Sequence, residues 1–198
     1  MILYYYLVSL FSISEIALLI LKRSERKTAK SQSDGRSMLI LWITIFSCLN
    51  IGFIVAKMGV LWPFDPSLST YPGILIAAAG FLIRWTAITQ LGKMFTVDVS
   101  ISSTHTLKTD GIFNIVRHPS YLGLLLIIVG LALLLNNGVS FLIIVSPSFY
   151  AVNYRIFIEE KALTGEFGNQ YLDYKSRVKK IIPFLYRLKF NRLFSDIR

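Results

Sequence analysis

The sequence predicts an all-α, polytopic integral membrane protein, built as a bundle of about five transmembrane helices. Of its 198 residues, 54% are apolar and only 16% are charged, and the mean hydropathy is +0.59. Soluble domains contain about 25% charged residues. The apolar residues lie in runs that approach the roughly 20 residues needed to cross a bilayer. The net charge is +10, and the basic residues flank these runs, which favours the loops of a membrane protein over a nucleic-acid-binding surface.

Five apolar runs are the candidate spans. The last two are separated only by Asn136, Asn137 and Gly138, a strong turn signal, and this predicts an antiparallel helical hairpin. Apolar residues that recur every three or four positions between Leu163 and Tyr174 predict a further, amphipathic helix after the spans. The predicted spans are 2–21, 38–60, 73–91, 121–135 and 139–158.

The loop charges predict the orientation of these spans. Nearly all Lys and Arg residues lie after the first and third spans and in the tail. The positive-inside rule then places the N-terminus outside, and the C-terminus and the polar segment 92–119 on the cytoplasmic side. We treat the chain as one membrane domain, 1–198, made of N-terminal helices and loops (1–70), a core (71–185) and a basic tail (186–198).

Some polar residues within the apolar runs have no evident role in the sequence. Glu15 and Arg84 are each expensive inside a membrane, so each is either functional or paired with a charge on a neighbouring helix. Cys48 is the single cysteine, which excludes an intrachain disulfide. His105 and His118 have no acidic or cysteine partner at ligand spacing, so we expect no metal site. No Walker or Gly-x-Gly-x-x-Gly motif is present.

Two polar segments carry the candidate chemistry. Arg155 and Glu159 are four residues apart, so on a helix they share one face. They can pair with each other, or they can bind the two ends of a zwitterionic ligand. In the other segment, His118-Pro119 makes a rigid entry to the fourth span, because proline fixes its own φ and restricts the preceding residue.

At these segments the sequence resembles the isoprenylcysteine carboxyl methyltransferase family and its prokaryotic relatives, which are related to phospholipid methyltransferases. The similarity lies in 105–123 (HTLKTDGIFNIVRHPSYLG) and 159–185 (EEKALTGEFGNQYLDYKSRVKKIIPFL), with a similar lead-in at 91–99. It extends over about 84–185, roughly half of the chain. Each motif alone would be weak, and their combination at these separations is specific.

The resemblance implies an enzyme, an S-adenosylmethionine-dependent methyltransferase whose cofactor-binding core is 71–185. Its pocket would open to the cytosol, and a tunnel would admit a lipidic substrate from the bilayer. Arg155 would be catalytic and hold the substrate carboxylate, while Glu159 would bind the cofactor's amino group. The other implied cofactor-binding residues are His105, Thr106, Leu107, Lys108, Phe113, His118, Pro119, Ser120 and Tyr121.

Two positions depart from the family's better-known eukaryotic members. Phe113 stands where a tyrosine usually contacts the cofactor, so a hydroxyl contact is lost while ring packing can remain. Asp98 stands where a glutamine can contribute, which puts that upstream contact in doubt. The resemblance therefore leaves the role of Asp98 open, together with those of Glu15 and Arg84.

Several functions remain open from the sequence. The first expectation is carboxyl O-methylation of an isoprenylcysteine-like acceptor, with membrane lipids as the other partner and no nucleic acid or metal. An N-methyltransferase of a phospholipid or amine would need a proton acceptor, for which Asp98 or Glu160 could serve. A non-enzymatic membrane protein or transporter component would use Glu15, Arg84 and Asn50 as a polar path. A membrane reductase would bind a nicotinamide cofactor instead.

Overall fold

The computed structural model is a bundle of helices, and it describes residues 2–21, 32–59, 65–92 and 107–181. A short 3₁₀ turn, Gly111–Asn114, precedes the fourth helix. The helices in the described residues are α1 (Ile2–Leu21), α2 (Gln32–Lys57), α3 (Pro66–Leu91), α4 (Pro119–Leu133), α5 (Gly138–Phe167) and α6 (Asn169–Arg177).

Packed helices of the bundle run antiparallel to each other. Between α1 and α2, the Tyr4 hydroxyl donates to the carbonyl oxygen of Leu49 at 3.0 Å, and the Phe11 ring lies 6.2 Å from that of Trp42. As the residue number rises along α1 it therefore falls along α2. This alternation brings the end of α1, the start of α2, the end of α3, the start of α4 and the end of α5 to one side of the bundle.

Glycines allow α3 and α4 to approach each other at backbone distance. A Cβ atom on Gly80 would lie 2.7 Å from the carbonyl oxygen of Gly123 and 2.7 Å from the nitrogen of Ile127. One on Gly130 would lie 2.7 Å from the Cβ of Ala77. Small residues at such spacing are the usual means of close helix packing in membranes, where no hydrophobic effect draws helices together. The glycines therefore set the position of α4 against α3.

The outer surface of the bundle suits a lipid environment. Three helices are long and apolar enough to cross a membrane, over Arg36–Lys57, Leu68–Leu91 and Gly138–Phe167, and two shorter apolar helices, Leu3–Leu18 and Pro119–Leu133, accompany them. Large apolar side chains on α1, α2 and α3 are exposed; they include Ile13, Ile20, Leu39, Ile43, Ile54, Leu75 and Leu82. The all-α polytopic membrane fold expected from the sequence is confirmed.

The helix α4 lies inside the bundle and has 15 residues. It is apolar on nearly every side, and Leu124, Ile127, Ile128 and Leu131 are completely buried. A helix that is apolar all round must be covered on all sides, by protein or by lipid. Here α3 and α5 provide most of that cover, so the first turn of α4 enters the middle of the bundle's polar end.

The turn between α4 and α5 confirms the predicted hairpin. Asn136 adopts a positive φ of 52°, a conformation that asparagine tolerates better than most residues. The side chain of Asn137 caps α5 by accepting from the backbone nitrogen of Ser140 at 2.9 Å. The side chain of Asn136 also accepts from the Ser69 hydroxyl at 2.5 Å, which ties the hairpin to the start of α3.

Several helix boundaries differ from those predicted. The helix α2 begins six residues before the predicted span, because a helix can continue past the hydrocarbon among polar residues. The helix α3 begins at Pro66, where a proline needs no hydrogen-bond donor in the first helical turn. The helix α5 continues nine residues beyond the predicted span and ends at Phe167, directly before Gly168, whose φ is +49°. The predicted amphipathic helix is therefore two helices, and the proposed tail lies outside the described residues.

We expect Gly80→Ala to destabilise the protein, because the new methyl group would overlap the backbone of α4. Overpacking of this kind costs about 1–3 kcal/mol. Gly165→Ala is the matched control, because a Cβ at Gly165 on α5 would meet no atom within 4 Å. Thermal unfolding in detergent compares the two variants. A melting temperature for Gly80→Ala equal to that of the control would contradict backbone contact between α3 and α4.

Candidate active site

Charged side chains are buried at the end of the bundle where α4 begins and α5 ends. Arg155 on α5 is 2% exposed and donates from Nη1 to the Ser37 hydroxyl of α2 at 2.7 Å. Arg84, near the end of α3, is 6% exposed and reaches the first turn of α4. Because antiparallel packing collects these helix ends on one side, residues far apart in sequence meet there.

Arg155 and Glu159 converge with the entry to α4. The Tyr121 side chain lies close enough to the Glu159 carboxylate and to the Arg155 guanidinium to interact electrostatically with both. Nδ1 of His118 lies 3.8 Å from Oε1 of Glu159. The extension of α5 beyond the predicted span keeps Arg155 and Glu159 on one continuous helix, one turn apart. A cation, a carboxylate, an imidazole and a phenol thus surround one position at the end of the bundle.

Glu160 is the centre of a separate polar cluster beside this group. Its Oε1 accepts from Nη2 of Arg117 at 2.8 Å and from Nε2 of His118 at 3.2 Å, and its Oε2 lies 2.8 Å from Nζ of Lys175. An ionised carboxylate only accepts hydrogen bonds, so Nε2 of His118 is the donor and Nδ1 is the atom directed toward Glu159. Glu160 therefore fixes the orientation of the imidazole.

Arg117 joins the chain after α6 to the entry of α4. Its Nη1 donates to the carbonyl oxygens of Lys175, at 3.1 Å, and of Val178. The backbone supports this junction, because the Arg117 nitrogen donates to the carbonyl oxygen of Lys179 at 2.8 Å and the His118 nitrogen to that of Lys180 at 3.1 Å. The segment that leads into α4 is therefore held from the C-terminal side of the chain.

Two buried tyrosines of α6 complete this attachment. The Tyr174 hydroxyl donates to the carbonyl oxygen of Phe113 at 2.6 Å, and burial raises the pKa of Tyr174 to about 12. Burial also raises the pKa of Tyr171, which is 1% exposed. A tyrosine hydroxyl is protonated at neutral pH even without such a shift, so Tyr174 is a donor to the turn before α4.

Glu15 and Arg84 form a buried ion pair that reaches the same place. The Nε and Nη2 atoms of Arg84 each lie 2.6 Å from a carboxylate oxygen of Glu15. Nη1 of Arg84 donates to Ser120, to its carbonyl oxygen at 3.1 Å and to its hydroxyl at 3.0 Å. The two intramembrane charges whose role the sequence left open are therefore partners, and they meet α4 at its first turn.

The predicted cofactor-binding residues before α4 differ in their surroundings. Leu107 packs against the buried side chains of Tyr171 and Tyr174, so its side chain belongs to a small apolar core. Nζ of Lys108 lies 3.0 Å from a carboxylate oxygen of Asp110, and this salt bridge lowers the pKa of Asp110. Phe113 is buried and offers its backbone carbonyl to Tyr174.

The remaining predicted residues lie at the start of α4 or outside the described residues. Pro119 is the first residue of α4 and Ser120 the second, directly before Tyr121. His105 and Thr106 lie outside the described residues, as does Asp98. The described structure thus brings His118, Tyr121, Arg155 and Glu159 together, while Leu107, Lys108 and Phe113 lie in the segment that precedes them.

Sequence reasoning missed three groups at this site. Arg117, Lys175 and Ser37 were given no individual role, and Glu160 was considered only as a proton acceptor. Arg117 stands within the Arg-His-Pro motif, which could have drawn attention to it, whereas Ser37 and Lys175 carry no local signal. Across the described ranges, no three or more His, Cys, Asp or Glu side chains are grouped so that they could hold a metal ion.

We expect Glu160→Ala to destabilise the protein, because Arg117, His118 and Lys175 would lose their shared acceptor. Removal of one partner from a largely buried charge pair costs about 3–5 kcal/mol. Asp173→Ala is the control, because it breaks only the exposed pair with Arg177 on α6. Thermal unfolding measures both variants. Equal melting temperatures would show that the cluster around Glu160 does not hold α6 to the bundle.

Comparison with known proteins places these residues in a family. The sequence profile of the isoprenylcysteine carboxyl methyltransferase (ICMT) family matches residues 73–165, which include α4 and the converging residues of α5. A solved structure of the eukaryotic intramembrane Ras methyltransferase ICMT superposes with a TM-score of 0.65 and 27% sequence identity. That superposition covers 91% of this chain and 65% of the other.

Relatives with known names support the same family as the profile and the solved structure. The protein-S-isoprenylcysteine O-methyltransferase of Saccharomyces cerevisiae is 32% identical over 157 residues, which are 77% of this chain and 66% of the relative. Protein-S-isoprenylcysteine O-methyltransferase B of Arabidopsis thaliana is 35% identical over 57% of this chain and 58% of its own. The Mus musculus enzyme is 31% identical over 66% of this chain, which spans 47% of the relative's length. This chain belongs to the isoprenylcysteine carboxyl methyltransferase family.

Proposed function

We propose that this protein is an S-adenosylmethionine-dependent methyltransferase that methylates the carboxyl group of an isoprenylcysteine-like acceptor taken from the membrane. The observation that carries the proposal is the convergence of Arg155 and Glu159 with His118 and Tyr121 at one end of an apolar bundle. All four residues lie within the part of the chain that matches the family profile. The matched relatives named above are protein-S-isoprenylcysteine O-methyltransferases.

The chemistry of this group of side chains fits a zwitterionic, cationic cofactor. Glu159 is half-buried on the inner face of α5, and its carboxylate can pair with the amino group of S-adenosylmethionine. The Tyr121 ring, beside Glu159, offers an aromatic surface to a positive charge. When bound, the cofactor would supply a methyl group on a cationic sulfur. His105, Thr106, Leu107, Lys108, Phe113, Pro119 and Ser120 remain proposed as further cofactor-binding residues.

Arg155 would orient the acceptor. A carboxylate is ionised at neutral pH, so it can act as a nucleophile without a general base. A guanidinium presents a planar set of donors that matches a carboxylate, and the Ser37 hydroxyl holds one end of this guanidinium at 2.7 Å. The contribution of the protein would then be to position two reactants in a site with little water.

Within the described residues, the geometry does not support Glu160 as the base that an amine acceptor would need. An amine acceptor requires a group that removes a proton during or after transfer. Within the described residues Glu160 was the candidate, and it already accepts from Arg117, His118 and Lys175. A carboxylate with three such partners is a poor base, because its negative charge is strongly stabilised. A carboxyl acceptor needs no such group.

A transport path is less well supported. The polar path suggested by the sequence would need Asn50 to continue from Glu15 and Arg84. Asn50 is instead exposed on α2 and donates to the carbonyl oxygen of Phe46 in its own helix, at 2.7 Å. Glu15 and Arg84 are engaged with each other and are almost completely buried. These partners suit a fixed structural role rather than a permeation path.

We also propose that the site faces the cytoplasm and that the N-terminus lies outside. Exposed basic side chains lie on the same side as the site, on α5, α6 and the residues that follow; they are Lys161, Lys175, Arg177 and Lys179. At the opposite end, α2 ends at Lys57 and α3 begins next to Asp65. The excess of positive charge on the site's side supports this orientation.

Glu159→Ala should remove most of the affinity for S-adenosylmethionine, because the ammonium group would lose its carboxylate. Loss of one partner of a buried charge pair costs about 2–5 kcal/mol, so we expect affinity to fall at least about 30-fold. Calorimetry with S-adenosylhomocysteine measures this. Glu166→Ala, an exposed acid on the same helix, is the control and should bind normally. Unchanged affinity in Glu159→Ala would reject the role of Glu159.

Arg155→Ala should spare cofactor binding and lower turnover by about 100-fold or more, because the acceptor carboxylate would lose its positioning group. Purified protein in lipid is supplied with labelled S-adenosylmethionine and a farnesylated cysteine derivative. Wild type should release its label as base-labile methyl ester, whereas base-stable label would indicate methylation of an amine. Lys161→Ala, exposed on the same helix, is the control. Normal turnover in Arg155→Ala would exclude this role.

A further inference from the structure

We propose that Glu15 is a positioning residue of the site, which acts through Arg84 to hold the first turn of α4 and with it Tyr121. For its effect on turnover, this inference rests on the function proposed above. The helix α1, which carries Glu15, lies outside the residues that match the family profile. The N-terminal helix would therefore supply part of the active site rather than only a membrane anchor.

The geometry of the ion pair is the first step of the argument. Both oxygens of Glu15 lie 2.6 Å from nitrogens of Arg84, one from Nε and one from Nη2. Two parallel bonds of this kind fix the plane of a guanidinium as well as its position. Glu15 is 3% exposed and Arg84 is 6% exposed, so water does not compete for these bonds.

The third nitrogen of the guanidinium provides the second step. With Nε and Nη2 bound to Glu15, Nη1 points to Ser120 and donates to both its carbonyl oxygen and its hydroxyl. Ser120 is the second residue of α4, and Tyr121 is the third. The position of the Tyr121 side chain near Glu159 and Arg155 therefore depends on the rotation of the turn that Arg84 holds.

Charge compensation is the third step. A guanidinium buried in an apolar bundle without its carboxylate is strongly unfavourable, and it would turn toward another acceptor. The hydrogen bonds to Ser120 are directional, so such a turn would weaken them. Glu15 thus does more than join α1 to α3, because the same contact decides where Nη1 points.

A variant in which the charges of Glu15 and Arg84 are exchanged distinguishes a positioning role of Glu15 from simple attachment of α1 to α3. In the double variant Glu15→Arg/Arg84→Glu, the ion pair between α1 and α3 can form again. A glutamate at position 84, however, has no hydrogen to donate to the carbonyl oxygen of Ser120. We expect the double variant to melt at a higher temperature than Glu15→Arg alone, while its kcat stays about 100-fold below that of wild type. Recovery of both stability and kcat would overturn the proposal.

A second variant keeps the test independent of the double exchange. Glu15→Gln keeps the shape of the side chain and removes its charge, and we expect faster hydrogen exchange at Leu122, whose nitrogen donates to the carbonyl oxygen of His118 at 3.1 Å. Tyr4→Phe, which removes a buried hydrogen bond at the other end of α1, is the matched control and should leave that exchange unchanged. Exchange at Leu122 equal to that of wild type in Glu15→Gln would also overturn the proposal.

The exchange measurement also separates this inference from the proposed function. If wild-type protein transferred no methyl group to any carboxyl acceptor, the proposed function would fail. The comparison of Glu15→Gln with Tyr4→Phe at Leu122 would still decide whether Glu15 holds the start of α4.

Discussion

Charge burial in an apolar bundle is the constraint on which the rest of this structure depends. An isolated charge among apolar helices costs so much that it must have a partner, and here the partners come from other helices. Arg84 is paired with Glu15 across 69 positions of the sequence, and Arg155 donates to Ser37 across 118. Each such contact connects two helices at the same end, so the polar site and the arrangement of the bundle stabilise each other.

Close contact between α3 and α4 is the second requirement of this structure, and it is met among the apolar residues of the two helices. The glycine contacts between α3 and α4 leave little freedom for α4 to slide along α3. Arg84 lies one turn beyond Gly80 on the same face of α3, directly above the place where Gly80 meets Gly123. The register that the glycines impose is thus the register in which the guanidinium reaches Ser120. Apolar packing and polar contact specify one position of α4 together.

The sequence predicted what depends on local pattern and could not predict what depends on distant partners. The presence of five apolar helices, the Asn136–Gly138 hairpin and the shared helix of Arg155 and Glu159 follow from composition and from helical spacing, and the structure agrees with each, although several helix bounds differ. The continuation of α5 to Phe167 was missed because charged residues end a hydrophobic run without ending a helix. The cluster around Glu160 was missed because Arg117 is 43 positions away and lies in a different segment. No periodic pattern encodes such a distance.

The helix α5 presents the two environments that a lipidic acid would need, an apolar surface and a buried cation. Its exposed side carries Phe149, Tyr150 and Phe157, which suit lipid, while Arg155 and Ile156 face the interior. A molecule with an apolar tail and a carboxylate head loses least free energy when its tail stays in hydrocarbon and its head leaves it. Neighbouring residues of a helix point in different directions, so Arg155 can be buried while Phe157 is exposed. Arg155 therefore lies where such a head would arrive, near the polar end of an apolar helix. The burial of one cation beside an apolar surface therefore gives a physical reason for the proposed chemistry to take place at a membrane boundary.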